Sequence, residues 1–412
     1  MANPLLATLA GLKGNPRACV YTEPLWGLSM NLCLPYASVY MLALGLRDAQ
    51  VGLVVTVYTL SQMIFAFLSG PVTDKLGRRL STAISDFFSF VIPCLIWWKA
   101  VNFWYFFIAA FLNGSMKISH TAWNCLLVED AEKNQIPQIF SLVIACGQLC
   151  AFFAPISSLL VSRLTLIPAV RILYLNAFIL MSVKVIILYI ASRETGTGLK
   201  RIQETRGKSI FKLSGEYLGV IKIIFRSKGI MFSIVVLLIA TIVGMLNTAF
   251  WQIIASKKLL IPDPLLPLLP IIKSLLSIFF LFIVLPRVSA GRLKLPLLTG
   301  FLCYMAGQAM LVMVPVEGAA KYLFLGISLV FDGFGFGSLA MLSESLIAIN
   351  IIPQERARIF AIMHVMITAA SAPFGWIGGL LSDISRNLPF VLNFFLLATG
   401  FIFTAVKMKI EK

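Results

Sequence analysis

The sequence predicts an all-α integral membrane protein, with twelve transmembrane helices arranged as two pseudo-symmetric six-helix bundles. Three observations predict it: 59% of the 412 residues are hydrophobic, only 12% are charged, and long apolar runs recur along the whole chain. Soluble domains carry about 25% charged residues, so this chain has too little polar surface to cover a water-exposed body. The alternating short segments of an outer-membrane barrel are not visible in the sequence.

Each predicted helix is an apolar run close to the roughly 20 residues that cross about 30 Å of hydrocarbon. A longer basic segment divides the runs six and six, which predicts an N-terminal bundle (1–192), a cytoplasmic linker (193–228) and a C-terminal bundle (229–412). The twelve predicted helices are 18–44, 50–69, 80–98, 102–127, 136–162, 168–192, 229–255, 263–285, 295–314, 321–348, 358–381 and 388–407.

The charge distribution predicts the orientation in the membrane. The chain has 34 Lys and Arg against 17 Asp and Glu, a balance that is also typical of nucleic-acid binders. If the N-terminus is inside, 23 of these basic residues lie in inner segments, 8 in outer segments and three within helices. The positive-inside rule predicts this asymmetry. We therefore expect a multi-pass protein of the cell membrane with both termini cytoplasmic, in contact with membrane lipids and not with nucleic acid.

The linker is the most basic segment, with nine Lys or Arg and a net charge of +6 over 193–228. Apolar and basic residues alternate at helical spacing over 210–226, which predicts an amphipathic helix on the inner leaflet. An extended start of the seventh transmembrane helix is the alternative. The seven cysteines form no CxxC pair and the two histidines lie on different helices, so we expect no metal, no cofactor and no enzyme activity.

A glycine-rich basic motif lies between the second and third predicted helices, at 70–79. Glycines there allow close approach and a tight turn. A carboxylate can accept from backbone N–H groups at a neighbouring helix start, and the basic side chains can bind lipid phosphates or acids of nearby helices. A shorter copy, Gly291-Arg292, follows the eighth helix, which indicates two repeats in the same orientation. The defining positions are Gly70, Asp74, Lys75, Gly77, Arg78 and Arg79.

Residues 70–79 resemble, at every defining position, the loop motif G-x-x-x-D-[RK]-x-G-[RK]-[RK] of the major facilitator superfamily. The resemblance extends over the whole chain in helix number, central linker and repeat. It implies a transporter that alternates between inward- and outward-facing states, in which the motif latches the outward-facing state. The second copy has Val288 where Asp74 stands in the first, so we expect the latch to be asymmetric.

Two departures weaken the interpretation as a drug–proton antiporter of this family. The glycine-rich stretch that such antiporters carry in helix 5 is replaced by Ala154-Pro155-Ile156-Ser157-Ser158. The arginine expected early in helix 4 is also missing, because Phe106, Phe107 and Phe111 occupy that turn.

The clearest candidate site is a polar stripe on the fourth helix. Its members fall at i, i+4, i+7 and i+11, which places them on one face of an α-helix. Charged groups at mid-span are costly and usually face a cavity. The resemblance implies that helices 1, 4, 7 and 10 line that cavity, although the asparagines are equally consistent with hydrogen bonds between helices. The stripe consists of Asn113, Lys117, His120 and Asn124.

Other candidates lie on the partner helices. Asp332, in helix 10, is expected to neutralise Lys117 or Lys273 in the empty protein. The tryptophans are interpreted either as cavity walls or as interfacial anchors. These further substrate-binding candidates are Trp26 and Asn31 in helix 1, Asn247 and Trp251 in helix 7, Lys273 in helix 8, and Asp332.

Coupling to an ion gradient needs a group whose protonation changes with its surroundings. The candidates for proton coupling are Asp332, Glu23 and His120, in that order. Sodium is the alternative coupling ion. The function predicted from these residues is proton-coupled secondary active transport of a small organic anion or polar solute, by a monomer. The alternatives are export of lipophilic cations, transport of neutral sugars or nucleosides, and a receptor or lipid-handling protein on the same fold.

Overall fold

The computed structural model of the chain describes residues 4–132, 135–207, 209, 221–279, 294–318, 320–350 and 356–407. Within these ranges, nine helices are long and apolar enough to cross a membrane. They correspond to nine of the twelve predicted helices, all except the first, fourth and eighth. The fold class is the predicted one, an all-α multi-pass membrane protein.

The helices are named here in chain order. Those of the first half are α1 (Pro4–Gly11), α2 (Gly14–Cys33), α3 (Ala37–Ala43), α4 (Asp48–Leu76), α5 (Arg78–Asp86), α6 (Ile92–Trp98), α7 (Phe103–Asn113), α8 (Met116–Val128), α9 (Ile136–Ala151), α10 (Ala154–Leu164), α11 (Leu166–Ala191) and α12 (Gly196–Glu204). Those of the second half are α13 (Ile221–Arg226), α14 (Lys228–Ile253), α15 (Leu269–Phe279), α16 (Lys294–Met313), α17 (Ala320–Asn350), α18 (Arg356–Ile384) and α19 (Leu388–Lys407).

Three predicted helices differ in detail. The first is interrupted at Pro35, where a 3₁₀ turn joins α2 to α3, because proline has no N–H to continue the helical ladder. The fourth is divided into α7 and α8 by Gly114 and Ser115. Of the eighth, the structure describes α15, and the residues from 280 to 293 lie outside the described part, including the second copy of the motif.

The chain forms two compact units, which are considered separately. Unit 1 consists of Met1–Leu34 and Val57–Gly219. Its main buried cluster joins α2, α8, α9 and α11 through residues such as Cys19, Leu126, Ile139 and Leu188. In the linker, α12 belongs to this unit, whereas residues 208 and 210–220, most of the predicted amphipathic segment, lie outside the described residues.

Unit 2 consists of Pro35–Thr56 and Val220–Lys412, so it contains α3 and the first turns of α4 as well as the later helices. Its buried cluster is built on Val243, Leu297, Phe301, Tyr304 and Leu397. Close packing between α16 and α17 positions the polar residues described below. The predicted bundle boundaries remain a prediction, since they were drawn from the linker and not from packing.

Candidate functional site

The polar stripe of the predicted fourth helix spans the break between α7 and α8. Gly114, at this break, lies directly against Ser61 of α4: a side chain at position 114 would approach the Ser61 Cβ to 2.5 Å. Ser61 in turn donates to the carbonyl oxygen of Phe111 at 2.5 Å. The break therefore fixes where α8 begins, and so which way the rest of the stripe faces.

Asn113 is used in helix packing. Its Nδ2 donates to the carbonyl oxygen of Ser89 at 2.5 Å. Ser89 lies in a π-helical turn, Phe87–Val91, that joins α5 to α6, and carbonyls in such turns are freed from the regular α-helical ladder. Of the two interpretations of Asn113, the contact agrees with a hydrogen bond that holds helices together.

The other three stripe residues lie together on α8. His120 is exposed, and the Asn124 Nδ2 atom lies within hydrogen-bond distance of its ring, 3.2 Å from Nδ1 and 3.3 Å from Nε2. Lys117, one turn before, is half-buried and is close enough to His120 to interact with it electrostatically. Within the described part of the chain, the Lys117 ammonium has no carboxylate within ion-pair distance. The stripe on α8 therefore has a half-buried lysine without a carboxylate partner among the described residues.

The candidates on α2 have different surroundings. Asn31 donates to Gly27 of its own helix at 2.8 Å and to Gly147 of α9 at 3.4 Å, which are backbone contacts typical of packing. Trp26 packs edge-on against Phe90, with ring centroids 6.3 Å apart, within a buried cluster of unit 1. Among the described residues, neither side chain forms a hydrogen bond with the stripe on α8.

In unit 2, Asp332 of α17 is the centre of a buried polar network. Of the two lysines that the sequence offered as its partner, Lys273 of α15 is the one that contacts it. The Asp332 carboxylate also accepts from Gln308 of α16 at 2.6 Å and from Asn247 of α14 at 3.4 Å. The Lys273 ammonium lies 5.3 Å from the ring centroid of Trp251, a cation–π distance.

Sequence reasoning missed three members of this network. Asn393 of α19 donates to Gln308 at 3.0 Å, and Asn247 donates to the hydroxyl of Tyr304 at 2.8 Å. Gln308 and Asn393 lie in apolar helices where a buried amide needs a partner, and that signal alone could have identified them. Tyr304 carried no such signal, because an aromatic residue in a membrane helix is common.

The glycines around Asp332 allow this network to form. A side chain at Gly335 would come within 2.5 Å of the Tyr304 backbone, and one at Gly307 within 2.7 Å of the Asp332 nitrogen. The backbones of α16 and α17 therefore approach closely enough for short side chains to meet. The glycine-rich sequence after Asp332 is explained by this packing.

The motif at 70–79 is mostly helical, since α4 continues to Leu76 and only Gly77 interrupts it before α5. Arg78 is buried and pairs with Glu129 at 3.0 Å and with Asp74 at 3.1 Å. Arg79 donates to the carbonyl oxygen of Tyr189 at 2.9 Å and lies over its ring. Both arginines thus contact protein groups within unit 1.

The acid at the start of α5 is Glu194 and not Asp74 as the sequence suggested. Glu194, just before α12, accepts from the backbone N–H groups of Arg78 and Arg79 at 2.9 and 3.1 Å. Gly77 has φ +86°, and a side chain there would overlap the Glu194 carboxylate. Asp74 instead pairs with Arg201 of α12 at 2.9 Å, and this hydrogen bond raises the pKa of Arg201.

Comparison with known proteins agrees with this architecture. A family model described as the Major Facilitator Superfamily matches residues 25–371, most of the chain. The chain belongs to the major facilitator superfamily. The motif at 70–79, which resembles this superfamily's loop motif, lies within the matched residues.

Individual relatives of this superfamily member match only in part. The MFS-type transporter YqjV of Bacillus subtilis is 27% identical over 134 residues, 32% of each chain. The quinolone resistance protein NorA of Staphylococcus aureus is 40% identical over 57 residues, 14% of this chain and 15% of NorA. The chain thus matches about a third of the length of YqjV, and less of NorA.

Among solved structures, a mutant of the nucleoside transporter NupG has a TM-score of 0.75 to this chain, covering 96% of this chain and 100% of that one. The two sequences are 13% identical, so the likeness shows the shared fold and nothing of the solute.

Proposed function

We propose that this member of the superfamily is a secondary active transporter that works by alternating access and moves a small organic anion or polar solute together with protons. It acts as a monomer in the cell membrane, in contact with lipids and with both termini cytoplasmic. The 23 to 8 asymmetry of basic residues between inner and outer segments supports this orientation.

The observation that carries the choice of an anion is that Lys117 has no carboxylate partner within the described ranges. A half-buried ammonium in hydrocarbon is costly unless an opposite charge or water compensates it. A solute carboxylate or phosphate beside Lys117 would supply that charge, and His120 and Asn124 would add hydrogen bonds from the same face of α8. Displacing water around such a group makes the attraction stronger than in bulk solvent.

The polar network around Asp332 in unit 2 supports a polar solute, because its side chains can form hydrogen bonds. The charge of Asp332 itself is not free to bind the solute. Asp332 is already neutralised by Lys273 and hydrogen-bonded by Gln308 and Asn247. We propose that Lys273 and Asn247 exchange these bonds for bonds to the solute, with Trp251 as an apolar wall. Asp332, Glu23 and His120 remain the proposed proton carriers.

The experiment is a thermal-shift screen of the purified protein against organic anions, lipophilic cations and sugars. A ligand that binds only the folded state stabilises that state by about 2.7 kcal/mol when its free concentration is about a hundred times its Kd. We expect at least one organic anion to raise the Tm of the wild type, and Lys117→Ala to abolish that shift because the charge that binds the anion is gone.

Lys99→Ala is the matched control, since it removes an exposed lysine of unit 1 that lies outside α8. It should keep the full anion shift. An anion shift that survives in Lys117→Ala would overturn the assignment of Lys117, and stabilisation by cations alone would overturn the anion proposal.

Export of lipophilic cations is the second candidate, because 57 residues resemble NorA, a quinolone resistance protein. Its weakness is that the carboxylate of Asp332 is already paired with Lys273. The cation arm of the same screen tests it: a cation shift that is lost in Asp332→Asn would favour this candidate.

A further inference from the structure

A pocket of about 210 Å³ lies in unit 2 where α14, α16 and α17 meet. Gly244 of α14, Tyr304 of α16 and Phe336 of α17 are on its walls. Tyr304 is buried, whereas Phe336 is 45% exposed. The pocket therefore opens at the surface of unit 2, beside the Phe336 ring.

The surface of this pocket is apolar. Among the described residues that line it, only Thr241 and Tyr304 have polar side-chain atoms. The Thr241 hydroxyl donates to the carbonyl oxygen of Leu237 at 2.7 Å. The carbonyl oxygen of Gly244 accepts a hydrogen bond from Thr248 at 2.8 Å. A buried water needs about two to four polar partners. Because these polar groups already have partners, the pocket favours an apolar occupant over water.

The volume of the pocket fits an aromatic ring. An engineered protein cavity of about 150 Å³ with apolar walls binds benzene, and the pocket in unit 2 is larger. Its space exists because residue 244 has no side chain. A Cβ atom at Gly244 would lie 3.7 Å from Cε2 of Phe336, which is an ordinary van der Waals contact. A larger residue at 244 would therefore fill part of the pocket without a backbone clash.

The pocket adjoins the polar network around Asp332. Tyr304 lines the pocket, and its hydroxyl accepts a hydrogen bond from Asn247 at 2.8 Å. Along the axis of α14, Asn247 lies about 5 Å from Gly244 and about 9 Å from Thr241. A solute whose polar group binds Asn247 can therefore place an apolar group in the pocket.

A phospholipid chain is the other source of an apolar group in a membrane. Gly244 lies close to the middle of the span Lys228–Lys258, whereas lipid headgroups lie about 15 Å from the middle of the hydrocarbon. A lipid at this depth offers only the end of its chain, and that end cannot bind Asn247. The position of the pocket beside a polar network therefore favours a solute that carries both kinds of group.

We propose that this pocket binds an apolar group of the solute, about the size of an aromatic ring, and that the transported compound is an amphiphilic organic anion. Within the proposed function, on which this specificity rests, Asn247 binds the polar group of the same solute. Enclosing the ring removes its apolar surface from water, which makes binding tighter. Gly244 determines which rings fit, because its missing side chain provides the space.

The experiment compares propionate with 3-phenylpropionate, which adds a ring to the same carboxylate. Thermal-shift titrations of the purified protein measure the Kd of each compound, and the ratio of the two Kd values reports the contribution of the ring. We expect 3-phenylpropionate to bind the wild type at least about tenfold more tightly than propionate, because the ring is buried. Gly244→Val fills the pocket and should reduce this ratio to less than about twofold.

Gly326→Val is the matched control, because it adds the same side chain to α17 at a position where no atom lies within 4 Å. Its ratio of Kd values should equal that of the wild type. If thermal melts show that Gly244→Val does not fold, Gly244→Ala takes its place, since alanine favours a helix over glycine. The added methyl group should still lower the ratio.

A neutral compound, 3-phenyl-1-propanol, separates this proposal from the anion proposal, because it has the ring and no charge. A shift with the alcohol that is lost in Gly244→Val supports the pocket even if no anion binds. Equal Kd values for propionate and 3-phenylpropionate in the wild type, or a ratio that a folded Gly244 variant leaves unchanged, would overturn the pocket and leave the anion proposal intact. The absence of a shift with both ring compounds would also overturn it.

Mass spectrometry of co-purified phospholipid tests the other occupant. Phospholipid that is retained by the wild type and by Gly326→Val but lost in Gly244→Val would identify a lipid chain in the pocket, which contradicts the proposal. We expect the same phospholipid content in all three proteins.

Discussion

At the scale of single residues, the ion pair between Lys273 and Asp332 is unequal. The Asp332 side chain is 2% exposed and that of Lys273 is 27% exposed. Removing Lys273 leaves a buried carboxylate uncompensated, whereas removing the Asp332 charge leaves a lysine that is partly in water. We expect Lys273→Met to lower the free energy of unfolding by about 3 kcal/mol, and Asp332→Asn to lower it by less, since asparagine keeps an acceptor for Gln308.

Thermal and denaturant melts of the two variants and of the double variant measure this asymmetry. The double variant should be more stable than the sum of the two single losses predicts, because neither charge remains. Lys257→Met removes an exposed lysine of the same unit and should melt like the wild type. The prediction is wrong if the two single variants lose the same free energy of unfolding, or if the loss in the double variant equals the sum of the two single losses.

The sequence could predict the two charges of this pair, with Lys117 as the alternative partner of Asp332, but not their surroundings. A charge at mid-span in an apolar helix is visible without a structure, and so Asp332 and Lys273 were found. Glu194 was not found, because its partners are backbone N–H groups and it lies in a linker rich in charge. The ion pair between Asp86 of α5 and Lys184 of α11, which are 3.3 Å apart, was not predicted either, because pairing two helices requires knowing which of their faces meet.

At the scale of elements, the linker helix α12 is attached to the motif by one ion pair at its C-terminal half. Arg201 donates to Asp74 at 2.9 Å, and Thr205 donates to the Asp74 carbonyl oxygen at 3.2 Å.

We propose that this attachment of α12 is part of the gating role proposed for the motif. Hydrogen exchange of residues 196–204 should become faster in Asp74→Asn and in Arg201→Ala, because local opening then breaks fewer bonds. Transport should slow in Asp74→Asn while membrane insertion is kept.

Lys200→Ala is the matched control on the same helix, because Lys200 is 76% exposed and its ion pair with Glu204 is 3.9 Å long. Surface pairs of this kind contribute roughly 0–1 kcal/mol, so exchange of α12 should be unchanged. Unaltered exchange and transport in Asp74→Asn would remove the motif from gating.

The elements themselves were predictable from apolar run length, but their interruptions were not. The break at Gly114 depends on how closely α4 approaches, a tertiary fact that no local pattern contains. The motif was read as a loop because it is rich in glycine and charge, yet α4 continues through Asp74 and Lys75.

At the scale of the whole molecule, the low charge content and the recurring apolar runs were enough to predict the fold class, since the bilayer permits few architectures. They could not predict that α4 begins in unit 2 and ends in unit 1. Packing decides that assignment. Asp48, Gly52 and Thr56, spaced four residues apart, form one face of α4 that contacts α18.

This seam between α4 and α18 is the basis of the last prediction. Gly375 and Gly379 form a small-xxx-small pair facing Gly52, and Thr56 donates to the Ala372 carbonyl oxygen at 2.9 Å. A methyl group at Gly379 would lie 2.8 Å from the Asp48 carbonyl oxygen and 3.0 Å from the Gly52 Cα, and backbone atoms cannot rotate away. Overpacking costs about 1–3 kcal/mol, so Gly379→Ala should melt earlier than the wild type. Because α4 continues into unit 1, we also expect the transport rate of Gly379→Ala to change.

Gly326→Ala is the control, because no atom lies within 4 Å of a side chain at that position. Its free energy of unfolding should be unchanged or rise by up to about 1 kcal/mol. Identical melts for the two variants would mean that the seam is not closely packed in solution.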